Sequence, residues 1–175
     1  MIKKNHREGN TLRSLITGLL LIGLLFVSGC KKILAPLVEQ NEVKVAFFVS
    51  DSVGNQKSVF AKGENIYFHF KITNNRSKDL KYTKSHGGPP IVSFLLYKNN
   101  QLVGTTDDGY CFPAIVVGGK IKPGKSLNYV TSWYGNPSHK SLLEAGNYSF
   151  EVEPYIRFDD FDLNEKLKII HFSIR

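Results

Sequence analysis

The stretch Ile66-Tyr67-Phe68-His69-Phe70-Lys71-Ile72 alternates apolar and polar residues without a break. Ile66, Phe68, Phe70 and Ile72 fall on one side, and Tyr67, His69 and Lys71 on the other. Period two is the repeat of a pleated strand with one buried face. Asn74-Asn75 ends it. The same logic recurs along the chain. Val43 to Val49 reads as a first strand, followed by a turn around Gly54-Asn55. Ile91 to Tyr97 is a near-continuous apolar run, the pattern of a central strand. Lys98-Asn99-Asn100-Gln101 makes a tight turn into Leu102-Val103, and Asp107-Asp108-Gly109 is another turn. Ala114 to Val117 reads as a short strand ending at Gly118-Gly119. Pro123-Gly124 is a turn before Leu127 to Trp133, where Leu127, Tyr129 and Thr131 alternate with Asn128, Val130 and Ser132. Ala145-Gly146-Asn147 precedes Tyr148 to Val152, and Leu167 to Ile174 is the last strand.

About seven to nine short strands separated by turn signals read as an all-β chain, an immunoglobulin-like antiparallel β-sandwich. No long amphipathic helix competes with this reading. Composition agrees: the 175 residues include 12 Phe and 8 Tyr but one Met and one Trp. Two cysteines exclude a disulfide-stapled mini-protein and a thiolate zinc ribbon.

The first thirty residues read differently. Lys3, Lys4, Arg7 and Arg13 stand against one acid, Glu8, and an apolar run follows from Leu15 to Val27. This is the layout of an export signal, with a positive n-region, an apolar h-region and small residues before the cut. As a helix the run spans only about 20 Å, short of the ~30 Å hydrocarbon core of a bilayer. Val27-Ser28-Gly29-Cys30 resembles the lipobox of bacterial lipoproteins. That resemblance implies cleavage between Gly29 and Cys30, a diacylglycerol on the Cys30 sulfur and a further acyl chain, such as palmitate, on the new amine. Two or more acyl chains anchor a protein stably.

The expected organisation is a signal peptide over 1–29, a lipidated Cys30 with a flexible tether over 30–42, and a β-sandwich domain over 43–175. The expected location is the bacterial cell envelope, lipid-anchored at the outer membrane and facing the periplasm. The formal charge is +8, but the leader holds four bases and one acid, so cleavage leaves a net charge of +5 from 19 bases and 14 acids. They are scattered, with no basic stripe interleaved with aromatics, and a nucleic-acid partner is not expected. With Cys30 lipidated, Cys111 has no partner in its own chain. Its apolar neighbours Tyr110 and Phe112 suggest a buried, inert thiol.

Phosphate loops, GxSxG, HExxH and CxxC are all absent, so neither an enzyme nor a bound cofactor is expected. Asp160, Asp162 and Asn164 match the first three ligand positions of a calcium loop, but Glu165 stands where the glycine belongs and His171 where the final Glu belongs. They remain weak metal candidates. His86, Pro89 and Pro90 form a loop that could line a binding site. Trp133 and Tyr134 leave a strand into a loop, where aromatics either fill a core or anchor a partner.

Several landmarks together carry a second resemblance. They are Phe70-Lys71-Ile72-Thr73-Asn74, the Leu95-Leu96-Tyr97-Lys98-Asn99-Asn100-Gln101 strand-turn-strand, Ile121-Lys122-Pro123-Gly124 with Trp133, and Ala145-Gly146-Asn147-Tyr148. Their order resembles the BsuPI-type proteinase inhibitor domain, an immunoglobulin-like sandwich, over roughly Phe60 to Val152. Tyr148 is placed to form a tyrosine corner, with its hydroxyl bonded back to the backbone. The leading expectation is a non-enzymatic, lipid-anchored binding module whose partners are the membrane and an envelope protein, protease or glycan. The alternative implied by the resemblance is a proteinase inhibitor, with Ser85 to Pro90 as a projecting loop. An envelope hydrolase is the third.

Overall fold

The computed structural model describes residues 37–40, 42–88, 90–139, 141–163 and 169–175. The expected leader, Gly29, Cys30 and the first part of the expected tether lie outside them. Twelve strands are found among the described residues: β1 (Leu37–Gln40), β2 (Val43–Ser50), β3 (Val59–Phe60), β4 (Tyr67–Asn74), β5 (Leu80–Lys84), β6 (Val92–Lys98), β7 (Gln101–Thr105), β8 (Val117–Ile121), β9 (Ser126–Ser132), β10 (Gly146–Pro154), β11 (Ile156–Phe158) and β12 (Ile170–Ile174). The only helical piece described is one 3₁₀ turn, Trp133–Gly135.

The strands form two main sheets, β1-β2-β4-β9 and β3-β12-β10-β6-β7. All neighbours are antiparallel except β12 and β3, which run parallel. The chain crosses between the sheets as a Greek key, so β4 lies beside β9 in one sheet while β6 lies beside β10 in the other. This is an immunoglobulin-like β-sandwich. Leu37–Gln40, which falls within the expected tether, pairs antiparallel with Val43–Ala46 across the turn at Glu42.

The alternation read from the sequence becomes the core. Phe68, Phe70 and Ile72 of β4 are buried, and so are Val43, Val45 and Phe47 of β2. They face Phe94 and Leu96 of β6, Phe150 and Val152 of β10, and Phe172 and Ile174 of β12, all buried. Aromatic rings join the sheets: Phe68 meets Phe94 and Phe150 at 5.2 Å each, and Phe47 meets Phe150 edge-on at 6.4 Å. Such offset and edge-to-face contacts are favourable arrangements for rings of this kind.

The turns follow their residue chemistry. Asn99 and Asn100 both have positive φ, 52° and 62°, as the two-residue β6–β7 hairpin requires. Pro123-Gly124 closes a turn in which Gly124, at φ 68°, sits where a side chain would be strained. The Tyr148 hydroxyl donates to the Glu144 carbonyl at 2.8 Å, the expected tyrosine corner.

The sequence did not anticipate a third, smaller sheet, β11-β5-β8. Its strands come from three connections, β4 to β6, β7 to β9 and β10 to β12, which meet at one end of the sandwich. The short strand expected at Ala114 to Val117 begins instead at Val117, and Gly118-Gly119 lie inside it. They are there for close approach: a Cβ on Gly119 would sit 2.3 Å from the Tyr82 ring. Asn74 pins this end. Fully buried, it donates from Nδ2 to the carbonyls of Lys78 and Ile121, each at 2.8 Å, and accepts from the Arg76 N–H at 3.1 Å.

Candidate functional site

The segment that leaves β7 crosses the open side of the sandwich toward β8. It lies opposite β9, the edge strand of its sheet. Between the two runs a groove of about 530 Å³, with Tyr129 to Ser132 along one wall and Thr106, Asp107, Tyr110 and Phe112 along the other. Tyr67, Pro90, Gly135 and Asn136 complete it. That volume lies in the range of small-ligand sites, which combine apolar walls with few polar groups.

Each wall is held by specific bonds. Asp107 accepts from the Ser93 hydroxyl on one carboxylate oxygen and from the Tyr155 hydroxyl on the other. Burial and then this bond to Asp107 push the Tyr155 phenol well above its ordinary value. Asn136 is buried and donates from Nδ2 to the carbonyls of Thr106 and Asp108, at 3.1 and 2.9 Å. It thereby ties the turn after β9 to the segment after β7.

His86 lies behind Phe112. Its ring stacks on Phe112 at 4.5 Å and meets Tyr155 edge-on at 4.6 Å. It is 8% exposed, Nδ1 accepts from the Gly88 N–H, and Nε2 is buried with no hydrogen-bond partner. With Nδ1 accepting, the neutral ring carries its proton on Nε2.

The sequence-derived candidates are therefore divided. Pro90 lines the groove, and His86 supports it from behind. Pro89 is outside the described residues. Among the described residues of Ser85 to Pro90, expected as a projecting loop, His86, Gly88 and Pro90 are buried with His86 packed on Phe112, while Ser85 and Gly87 are exposed. Trp133 is a core residue, 3% exposed, with its indole stacked on His139 at 3.7 Å. Tyr134 is half-buried against the core, and its hydroxyl accepts from the Leu143 N–H at 2.9 Å. Of the two roles open from sequence, core filling and partner anchoring, both residues take the first, because the 3₁₀ turn directs them inward. Cys111, expected to be buried, is exposed, since the segment after β7 lies on the surface.

Of the calcium-loop candidates, Asp160 is engaged in ion pairs. Asp160 pairs with the buried Arg76 at 2.6 Å and with Lys78 at 3.5 Å, and the Arg76 hydrogen bond holds its carboxyl below the ordinary value. Asp162 is exposed, and Asn164 lies outside the described residues. Among the described residues no three His, Cys, Asp or Glu side chains could hold a metal ion.

Sequence reasoning missed most of the groove. Tyr67 carried a usable signal, an aromatic on the polar face of an alternating strand. Tyr110 and Phe112 flank Cys111 in a stretch without periodicity, and Asp107 looked like an ordinary turn residue.

The two shifted histidines make stability depend on pH. Burial lowers the His69 pKa; burial and then the Lys84 charge lower that of His86, with Asp107 opposing. An unfolded chain takes up these protons near pH 6.5, while the native state resists them to lower pH. The unfolded state then binds more protons, so stability falls as pH drops below about 6.5. The urea midpoint is expected to fall between pH 7.5 and 5.5, and to fall less in His86→Asn. An unchanged slope in the variant would show that His86 is not part of the effect.

No family profile and no curated protein sequence matches the chain. Solved structures similar to it include the β-glucosidase of Listeria innocua in complex with gluconolactone, 11% identical with a TM-score of 0.37 over 74% of this chain and 16% of the enzyme. The alkylpurine DNA glycosylase AlkC of Pseudomonas fluorescens, bound to DNA containing an abasic site analog, is 14% identical with a TM-score of 0.38, over 77% of this chain and 30% of AlkC. The CARDB domain of a Pyrococcus furiosus protein, in complex with di-metal ions, is 10% identical with a TM-score of 0.38 over 79% of this chain and 93% of that one. The chain spans less than a third of the two enzymes, and no activity passes from them to it.

Proposed function

We propose that this chain is a lipid-anchored protein of the bacterial cell envelope, attached through Cys30, whose immunoglobulin-like domain acts as a non-enzymatic binding module. The observation that carries the anchoring is Val27-Ser28-Gly29-Cys30 at the end of the apolar run. The groove beside β9 is the contact surface, because it combines aromatic walls with one carboxylate. Lipid at Cys30 and the short stretch up to Leu37 would keep the module close to the membrane, where it would meet envelope partners.

Intact mass of membrane-extracted protein tests the anchor. Wild type is expected to lack residues 1–29 and to carry acyl mass on Cys30. Cys30→Ala is expected to carry none and to leave the lipid-anchored fraction completely. Wild type that keeps its N-terminus and carries no lipid would overturn the assignment.

A further inference from the structure

The groove beside β9 differs from the other large clefts in its charge. The cleft on the third sheet, about 700 Å³, is lined by Lys84 and Arg157 as well as Asp159 and Asp162. The cleft below Trp133, about 460 Å³, holds Lys98 beside Glu144. Among the described residues that line the β9 groove, Asp107 is the only charged one, with no Lys, Arg or His. This is a single-signed negative site on a chain of formal charge +8.

The walls suit that sign. Tyr67, Tyr110, Phe112 and Tyr129 all line the groove, and the Tyr110 and Phe112 rings stack at 6.1 Å. Aromatic faces carry negative potential and attract cations held over them. Burial raises the Tyr129 hydroxyl above its ordinary value against a hydrogen bond with Thr131, and the Asp107 carboxylate adds to the rise.

We propose that the groove binds a small organic ammonium ion, with the cation over the Tyr110, Phe112 and Tyr129 rings and near the Asp107 carboxylate. This rests on the groove being the contact surface of the binding module. A neutral saccharide would also stack on aromatic rings, but it would not need the single-signed field. Tyr110 is 49% exposed, so its ring can be changed without disturbing the core.

The full-length protein in a polyoxyethylene detergent is titrated with choline chloride at constant ionic strength, with backbone amide NMR as the readout. Two parallel titrations use 3,3-dimethylbutan-1-ol, in which carbon replaces the ammonium nitrogen, and N-acetylglucosamine. Choline is expected to give saturable shifts confined to 106–112 and 129–132, and the neutral isostere to bind at least about tenfold more weakly. Tyr110→Leu is expected to weaken choline about fivefold with an unchanged melting temperature, and Asp107→Asn about tenfold. Equal binding of choline and its isostere would overturn the inference. So would binding of the saccharide without choline, and both outcomes leave the binding module intact. If none of the three shifts the groove amides, the cation site fails and the groove is also lost as the contact surface.

Discussion

Phe68→Ala is expected to cost about 3–5 kcal/mol of stability, the range for removing a fully buried Phe. Phe68, the second residue of β4, is 0% exposed. Its ring reaches across to the opposite sheet in three places, meeting Phe94 and Phe150 at 5.2 Å and Phe172 at 6.5 Å. Those partners sit on β6, β10 and β12, so the cavity left by Ala would open between the sheets, where neither can collapse without moving the other. Domains of this size are stable by only about 5–15 kcal/mol, so the loss is a large share of the total. Urea unfolding followed by the buried Trp133 would measure it, since the chain has one Trp. Phe48→Ala is the control. Its ring stacks on His69 on the outer face of the same sheet, and its loss should be much smaller. Equal losses at 48 and 68 would mean that the sheets are not held together through the Phe68 cluster.

Asn74→Ala is expected to cost about 3 kcal/mol, although it removes little apolar surface. The buried side chain satisfies the Ile121 carbonyl and the Arg76 N–H at a buried site and the Lys78 carbonyl at a partly buried one. A buried polar group left without a partner costs roughly 1–3 kcal/mol, and Ala would strand several. The backbone of the same residue is engaged too: its N–H donates to Lys125 at 2.9 Å and its carbonyl accepts from Gly124 at 2.7 Å. Asn74 therefore joins β4, the turn at Pro123-Gly124 and the start of the third sheet. Amide exchange in Asn74→Ala should rise more over 76–84 and 117–125 than in β10. Asn74→Asp should not rescue it, because a carboxylate cannot donate to two carbonyls. A loss below about 1 kcal/mol with unchanged exchange would show that the three bonds contribute little.

Some of this architecture was legible from residues alone. The buried face of β4 followed from alternation, because a pleated strand turns successive side chains to opposite sides. The Asn99-Asn100 and Pro123-Gly124 turns and the Tyr148 corner were also legible, since each is built within a few residues of chain. The resemblance of Val27 to Cys30 to a lipobox stays a reading of the sequence, as Cys30 lies outside the described residues.

The third sheet was not legible. β5 buries Leu80 at one end and alternates only exposed with half-buried positions after it, so it shows no strong period. β8 carries two glycines that look like a turn until Tyr82 is seen lying over Gly119. Trp133 reads as a loop aromatic because nothing local says that the next turn folds inward onto His139. The groove is the extreme case: Tyr67, Asp107, Phe112 and Tyr129 come from β4, β9 and the segment after β7, parts of the chain brought together only by sheet pairing. Alternation and turn chemistry act between residues a few positions apart, so the sequence by itself determined most strands of the two main sheets, the buried face of β4 and the local turns. Which edges stay open and which distant side chains share a cleft depends on contacts across the whole chain, and only the tertiary structure decided those.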